Sequence, residues 1–260
     1  MANRADWDLQ ADVVVLGSGG AALTAAISAY DFGARDVVIL ERSGMVGGTT
    51  AMSGGMLWIP NNHHQHEIGD TDSDEDIIAY LDGLAPGMLD PETLGAFLES
   101  GPEMLRYFAD KTPVRLHAYP GFPDYQPYIP GAKVHGGRCL DNDAFCFQQL
   151  GKWATKVNPT KMRYPVRGSL MEAANGTLDA ETLAYREQHD YRGLGQALIG
   201  ALFKAVLDRK IPIQFEKRAR KLIKDGARVI GVIAEGSDGD FRVRARAEQP
   251  EGVPGASPNH

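Results

Sequence analysis

Val13-Val14-Val15-Leu16 runs directly into Gly17-Ser18-Gly19-Gly20-Ala21-Ala22, and this junction constrains the fold more than any other feature of the sequence. An aliphatic run without polar alternation predicts a strand covered on both faces. A GxGxxA turn behind it predicts a strand–turn–helix unit. In such a unit glycines bring bare N–H groups against a pyrophosphate, and the helix N-terminus supplies the positive dipole end. Ala22, Ala25, Ala26 and Ala29 then recur at helical spacing and predict a small-residue face lying close to a sheet. Val37–Leu40 predicts the next buried strand. Glu41 ends it, 24 residues after Gly17, where the fingerprint places a carboxylate for ribose hydroxyls. The uncharged stretch from Val13 to Tyr30 is too rich in glycine, serine and alanine to read as a membrane span. Asp6, Asp8 and Asp12 stand where an export signal would carry positive charge.

The next residues sharpen the cofactor. Glu41-Arg42 leads through Gly44 to Gly47-Gly48-Thr49-Thr50, then to Ser53-Gly54-Gly55 and Trp58-Ile59-Pro60-Asn61-Asn62. Two further glycine pairs imply more backbone held against a flat, polar ligand, with hydroxyls of Thr49, Thr50 and Ser53 serving its phosphates and ring heteroatoms. A nicotinamide-only domain has no need of this second cradle, so FAD is the expected cofactor.

With these residues in view, the sequence resembles the fumarate reductase and 3-ketosteroid Δ1-dehydrogenase family of FAD-dependent flavoproteins, on its steroid dehydrogenase side. The motifs that carry the resemblance are GSGGAA, ER, GGTTAMSGG and WIPNN, then Gly101–Leu105, Pro120–Tyr125 and Gly193–Ile199. It implies Δ1-desaturation of a 3-ketosteroid: a tyrosine takes the C2 proton while hydride leaves C1 for flavin N5. Donors at the 3-keto oxygen stabilise the developing enolate. It also implies a substrate-pocket tyrosine at Tyr125, in a supporting catalytic role, and backbone contacts to the adenine near Ala219. Respiratory members link the flavin through a histidine in the second glycine motif. Residues 47–55 contain none, so noncovalent FAD is implied.

The middle of the chain is less regular. Ser73 with Asp76 predicts a helix start ahead of Ile77, Ile78 and Leu81, and Asp90-Pro91 a second one before Leu94, Phe97 and Leu98. Gly101-Pro102 is expected to break that helix, with Met104, Leu105 and Phe108 starting another. From Pro113 to Pro165 no period is sustained. The aromatics Tyr119, Phe122, Tyr125, Tyr128, Phe145 and Phe147 there are candidates to line an apolar pocket. His63, His64 and His66 form an HHxH cluster with no nearby carboxylate partner in sequence, and no functional metal is expected. Cys139 and Cys146 are expected to be inert. Gly195–Arg209 predicts an amphipathic helix with Leu198, Ala201, Leu202 and Ala205 on one side. Ile211–Phe215 predicts a strand, and Leu222-Ile223, Val229–Ala234 and Phe241–Arg246 a meander turning at Asp225-Gly226 and Asp238-Gly239.

The expected fold is therefore α/β, an incomplete glutathione-reductase-type Rossmann-like FAD-binding domain over residues 1–247. A helical and irregular segment interrupts it from about 60 to 190. Residues 248–260 have the composition of a disordered or out-of-frame tail. The family's substrate-capping domain, with its general base, and its ATGG-like turn are not found in the sequence, so the expectation is an N-terminal fragment. Two alternatives stand beside it: a fumarate-reductase-like enzyme, with Arg138 and Arg163 as carboxylate-clamp candidates, and a catalytically dead flavin-binding remnant. Net charge −7 argues against nucleic-acid binding. A small apolar substrate, no transmembrane segment and a cytoplasmic location complete the expectations.

Overall fold

The computed structural model describes residues 7–160 and 166–246. The tail from 247 onward and Arg163 lie outside them. In chain order the elements are β1 (Leu9–Ala11), β2 (Val13–Leu16), α1 (Gly20–Asp31), β3 (Val37–Leu40), β4 (Leu57–Trp58), α2 (Asp74–Leu84) and α3 (Pro91–Lys111). There follow β5 (Leu116–Ala118), β6 (Cys139–Asn142), β7 (Phe145–Cys146), α4 (Leu170–Asn175), α5 (Ala180–Gln188), β8 (Tyr191–Arg192) and α6 (Leu194–Asp208). The meander closes the described chain: β9 (Ile213–Gln214), β10 (Arg218–Asp225), β11 (Arg228–Gly236) and β12 (Gly239–Ala245).

These elements form two compact units. One gathers the chain up to Thr49, the short piece Thr155–Asn158 and the chain from Leu202. The other gathers Thr50–Ala154 and Pro159–Ala201.

In the first unit β2, β3 and β9 form a parallel sheet in the order β2-β3-β9, with Val13 opposite Val37 and Ile39 opposite Ile213. Alternation along β3 sends Val38 and Leu40 into a core with Ala11, Val232, Ala234 and Val243 from the second sheet. Val37 and Ile39 are left for the opposite face, where α1 packs against β2 and β3. The result is helix, parallel sheet and meander in three layers, as the sequence predicts. The meander turns through Gly226, at φ +60°, and enters β12 through Gly239, at φ +106°, so both turns use the freedom of glycine. β1 is a strand that the sequence reading does not anticipate. It pairs in parallel with β12, Leu9 opposite Val243.

Several expectations change here. The buried face of α1 is Leu23, Ala26 and Ile27, whereas Ala25 is exposed. Two fully buried aliphatics at about 1.5–3 kcal/mol each outweigh a stripe of alanines. Only Val15 of β2 is buried and Leu16 is 46% exposed, because β2 is an edge strand among the described residues. α6 is buried nearly all round, so it is a core helix and not an amphipathic one.

In the second unit α2 and α3 start where the caps predict: Ser73 Oγ accepts from Asp76 N, and Asp90 accepts from Thr93 N. Pro102 does not end α3, which continues to Lys111. The proline costs one hydrogen bond, but Gly101 before it has no Cβ to clash with the ring. Gly101, Leu105 and Phe108 form one continuous buried stripe. Ile78, expected in the core, is 44% exposed. The stretch without period contains β5 and β6, which join β4 in an antiparallel sheet of order β4-β6-β5, and β7, which pairs with β8. Strands of two to four residues are too short to show alternation. Among the described residues no helix is long and apolar enough to cross a membrane.

Candidate functional site

In the first unit β2 delivers the chain into Gly17, at φ +90°, whose N–H donates to Leu40 O at 2.8 Å. A Cβ on Gly17 would meet nothing within 4 Å, so the glycine faces open space in a conformation other residues avoid. Gly19 caps α1 without a side-chain hydrogen bond, and no acidic residue occupies the first turn. Ala21 is exposed and Ala22 half-buried at that end. The helix start, without a side-chain cap or an acidic residue, turns its positive dipole end toward any anion placed above Gly17–Gly20.

Ser18 is the hub of this loop. Its side chain is buried, and its Oγ donates to Glu41 Oε2 at 2.5 Å. Gly47 N donates to Ser18 O at 2.9 Å and to Ser18 Oγ at 3.3 Å. One serine therefore ties the first glycine loop, the acid at the end of β3 and the second glycine loop together. Glu41 is 6% exposed, and its other oxygen accepts from Ser43 N at 2.8 Å. The carboxylate is locked in orientation, with each oxygen keeping a lone pair for a second donor. Arg42 is exposed.

Gly47 and Gly48, at φ +110° and +49°, curl the second loop back so that a Cβ on Gly48 would lie 3.9 Å from Gly19 Cα. Thr49 is exposed at its tip. The N–H groups of Gly48 and Thr49 have no acceptor among the described residues. In the meander, β10 is the outer strand, and a register shift follows Ala219 where it pairs with Ala234. Open glycine backbone, an uncapped helix start, an oriented carboxylate and unspent amides suit the pyrophosphate and ribose of a dinucleotide, and FAD fits this donor set.

The second unit holds the rest of the glycine motif. Thr50 begins a short 3-10 turn, and Ser53 Oγ donates to Thr50 O at 2.8 Å while accepting from Gly55 N at 3.0 Å. The Ser53 hydroxyl thus builds the turn. A Cβ on Gly54 would stand in open space, but one on Gly55, at φ +73°, would lie 2.6 Å from Gly195 N and 2.7 Å from Asn142 Oδ1. The glycine is fixed there by close backbone approach.

The aromatics do not form one pocket. Tyr119 stacks on Phe122 at 5.1 Å, Phe122 meets Tyr125 edge-on at 6.4 Å, and Tyr125 is 83% exposed at the end of the row. Phe145 and Phe147 are buried against Gly200, and Tyr128 is exposed. Sequence reasoning missed what holds the Tyr125 loop. Arg138, fully buried, makes two hydrogen bonds to Asp72 at 2.8 Å each and one to Asp124 at 2.9 Å. Its guanidinium lies 5.5 Å from the ring centres of both Trp58 and Tyr80, and Trp58 Nε1 donates to Asp124 at 2.6 Å. Two of the motifs that carry the resemblance, Trp58–Asn62 and Pro120–Tyr125, are thereby joined through one arginine. Burial alone would raise the Asp72 pKa, but the hydrogen bonds and charge of Arg138 outweigh it and hold it below the usual range. Arg138 is wholly committed to these partners and is not a substrate clamp.

The rings of His63 and His64 lie tilted with centres 4.2 Å apart, and His64 pairs with Glu67 at 2.7 Å, so the cluster does have a carboxylate partner, contrary to the expectation from sequence. Burial, followed by the neighbouring positive charges, lowers the His63 pKa. Among the described residues no group of three or more His, Cys, Asp or Glu is placed to hold a metal ion. Cys139 and Cys146 are free, and the Cys139 thiol is pushed up to about 11 by burial and the charge of Asp124.

Residues 12–252 match the FAD binding domain family. The 4-oxocyclohexanecarboxylate 2-dehydrogenase of Sinomonas cyclohexanicum is 36% identical over 235 residues, 85% of this chain and 40% of that protein. A 3-oxosteroid 1-dehydrogenase of Mycobacterium tuberculosis is 31% identical over 243 residues, 87% of this chain and 43% of that protein. The crystal structure of 3-ketosteroid Δ1-dehydrogenase from Sterolibacterium denitrificans, in complex with 1,4-androstadiene-3,17-dione, superposes with a TM-score of 0.81 at 30% identity. It covers 91% of this chain and 46% of that one. The chain thus spans less than half the length of these relatives. These relatives are, by their names, dehydrogenases of a 3-oxosteroid and of a 4-oxocyclohexanecarboxylate, and the chain itself belongs to the FAD binding domain family.

Proposed function

We propose that this chain holds FAD noncovalently and serves a dehydrogenase acting on the CH–CH bond beside a ring ketone, with a 3-ketosteroid as the substrate class. The observation that carries the reading is the Ser18 hub, which sets Gly17–Ala22, Glu41 and Gly47–Thr49 as one cradle. In this reading the N–H groups of Ser18, Gly19, Gly20, Ala21 and Ala22 meet the pyrophosphate, and Glu41 receives the ribose hydroxyls. Gly48 and Thr49 face the flavin half, and Thr50, Ser53, Gly54 and Gly55 are read as cofactor-binding from the glycine motif they continue. Arg42 stands at the cradle's rim, and Ala219 offers backbone groups to the adenine. FAD, when bound, supplies the hydride acceptor. Tyr125 contacts the substrate in a supporting role, on a loop anchored by Asp124 and Arg138. Residues 1–247 act as one FAD-binding domain with 60–190 inserted, in a cytoplasmic protein.

Both named relatives act, by their names, on ring ketones, and this favours ketone-directed chemistry. Because Arg138 is spent on Asp72 and Asp124, it lends nothing to a dicarboxylate clamp. The test is anaerobic titration of the flavin-loaded protein with a 3-ketosteroid, with 4-oxocyclohexanecarboxylate and with succinate. Bleaching of the flavin band by the steroid supports the reading. Bleaching by succinate alone overturns it, and bleaching by the cyclohexanone acid alone keeps the chemistry but replaces the substrate class.

A further inference from the structure

The short piece Thr155–Asn158 belongs to the first unit although the chain on either side of it belongs to the second. It lies beside the second glycine loop, with Val157 in a parallel bridge to Val46. Val46 N donates to Lys156 O at 2.7 Å, and Asn158 N donates to Val46 O at 2.9 Å. Asn158 Nδ2 donates to Gly48 O at 3.3 Å. Lys156 Nζ donates to Gly44 O at 3.3 Å and sits 5.2 Å from the Phe215 ring centre.

Peptide geometry gives these bonds a direction. In a planar trans peptide the C=O and N–H point to opposite sides. The unit joining Val46 to Gly47 is held from both: its oxygen accepts from Asn158 N, and its N–H donates to Ser18 O. The unit joining Gly48 to Thr49 is held from one side only. Its oxygen accepts from the Asn158 side chain, so the Thr49 N–H points away from Asn158, without an acceptor among the described residues. Gly47 and Gly48 have the least intrinsic backbone preference of any residues, so an outside hold is what fixes this peptide plane.

We propose that Asn158 is a positioning residue of the flavin site, which aims the Thr49 N–H at the cofactor by holding the Gly48 carbonyl. The proposal rests on the FAD reading above. Nothing near positions 155–160 signals this in the sequence, because the contact spans 110 residues.

The test is the FAD dissociation constant, from quenching of flavin fluorescence, of the parent chain and of Asn158→Asp, Asn158→Ser and Asn158→Gln. Asp keeps the shape and the main-chain bonds but cannot donate to Gly48 O. Loss of one neutral hydrogen bond on the cradle predicts about a five- to tenfold weaker affinity. The apo melting temperature should stay unchanged and the fine structure of the bound flavin band should flatten. Gln, whose amide keeps a donor, should recover part of the affinity. If Asp binds FAD as tightly as the parent, or if affinity falls only in step with apo stability, the proposal is overturned and the FAD reading survives. If Asp prevents folding, Ser decides the matter by the same criteria. A parent chain that folds but binds no FAD overturns both.

Discussion

Replacing Arg138 with methionine is the sharpest test of how the Tyr125 loop is held. Methionine fills the space between Trp58 and Tyr80 with an unbranched chain, so the change removes charge more than packing. It removes three hydrogen bonds of 2.8–2.9 Å and leaves the Asp72 and Asp124 side chains, 0% and 1% exposed, without their cation. Stranding buried carboxylates in this way costs about 3–5 kcal/mol. For a chain of this size the melting temperature should fall by about 6–20 °C. In the parent the folded-state pKa of Asp72 is depressed, so its contribution is present above the unfolded value of 3.8 and lost as pH falls through the lower folded one. In the variant burial, the largest single cause, is opposed only by the Asn61 N–H and the charge of Lys133, so the folded pKa rises and the stabilisation that the parent gains above about pH 4 is lost. The gap between the two proteins is therefore widest near neutrality and closes toward about pH 4. Calorimetry from pH 4 to 7 reads both. Adding Asp72→Asn and Asp124→Asn to Arg138→Met should recover more than half of the loss, since the stranded charges are its cause. A loss below about 1 kcal/mol at neutral pH, the range of an exposed ion pair, would refute the buried-network account.

Three further outcomes follow from the geometry. Gly55→Ala forces a Cβ within 2.6 Å of Gly195 N at φ +73° and should lower stability by more than about 3 kcal/mol in urea titration, where a tolerant site would lose under 1. Ser18→Ala removes the hydroxyl between Glu41 and Gly47. It should weaken FAD binding about tenfold or more by fluorescence titration, because a buried carboxylate loses a charge-assisted bond, and an unchanged affinity would dissolve the hub. The Cys139 thiol, pushed up to about 11, should resist alkylation at pH 8 in the native protein and react on unfolding. Mass spectrometry of native labelling that finds Cys139 modified would contradict its burial in β6.

The elements legible in sequence are those whose signals are local. β2, β3, the turn at Gly17 and the helix behind it sit where Val13–Asp31 and Val37–Leu40 predict, because an aliphatic run and a glycine turn act within a few residues. The caps at Ser73 and Asp90 are local in the same way. What escaped depends on partners far along the chain. β1 is three residues long and exists because β12 lies 234 positions away. Arg138 carries no motif of its own, and Asp72 stands 66 residues before it. Asn158 is one asparagine in an irregular stretch, given meaning only by Gly48. Pro102 misled because local propensity says stop, while the buried stripe through Gly101, Leu105 and Phe108 holds the helix together across it. At the site the first glycine loop and Glu41 were readable. The use of the Ser53 hydroxyl to build its own turn and the lock on Glu41 by Ser18 and Ser43 were not, since a side chain's partners follow from the folded backbone around it.

Whether one cradle, tied by Ser18, holds FAD without a covalent bond is decided by adding FAD to the purified chain, desalting, recording the visible spectrum, and then precipitating the protein with acid. A noncovalent cradle gives a retained, structured flavin band near one equivalent per chain, with all of the flavin released to the supernatant. A well-folded but colourless protein, or flavin that stays with the precipitate, rules it out.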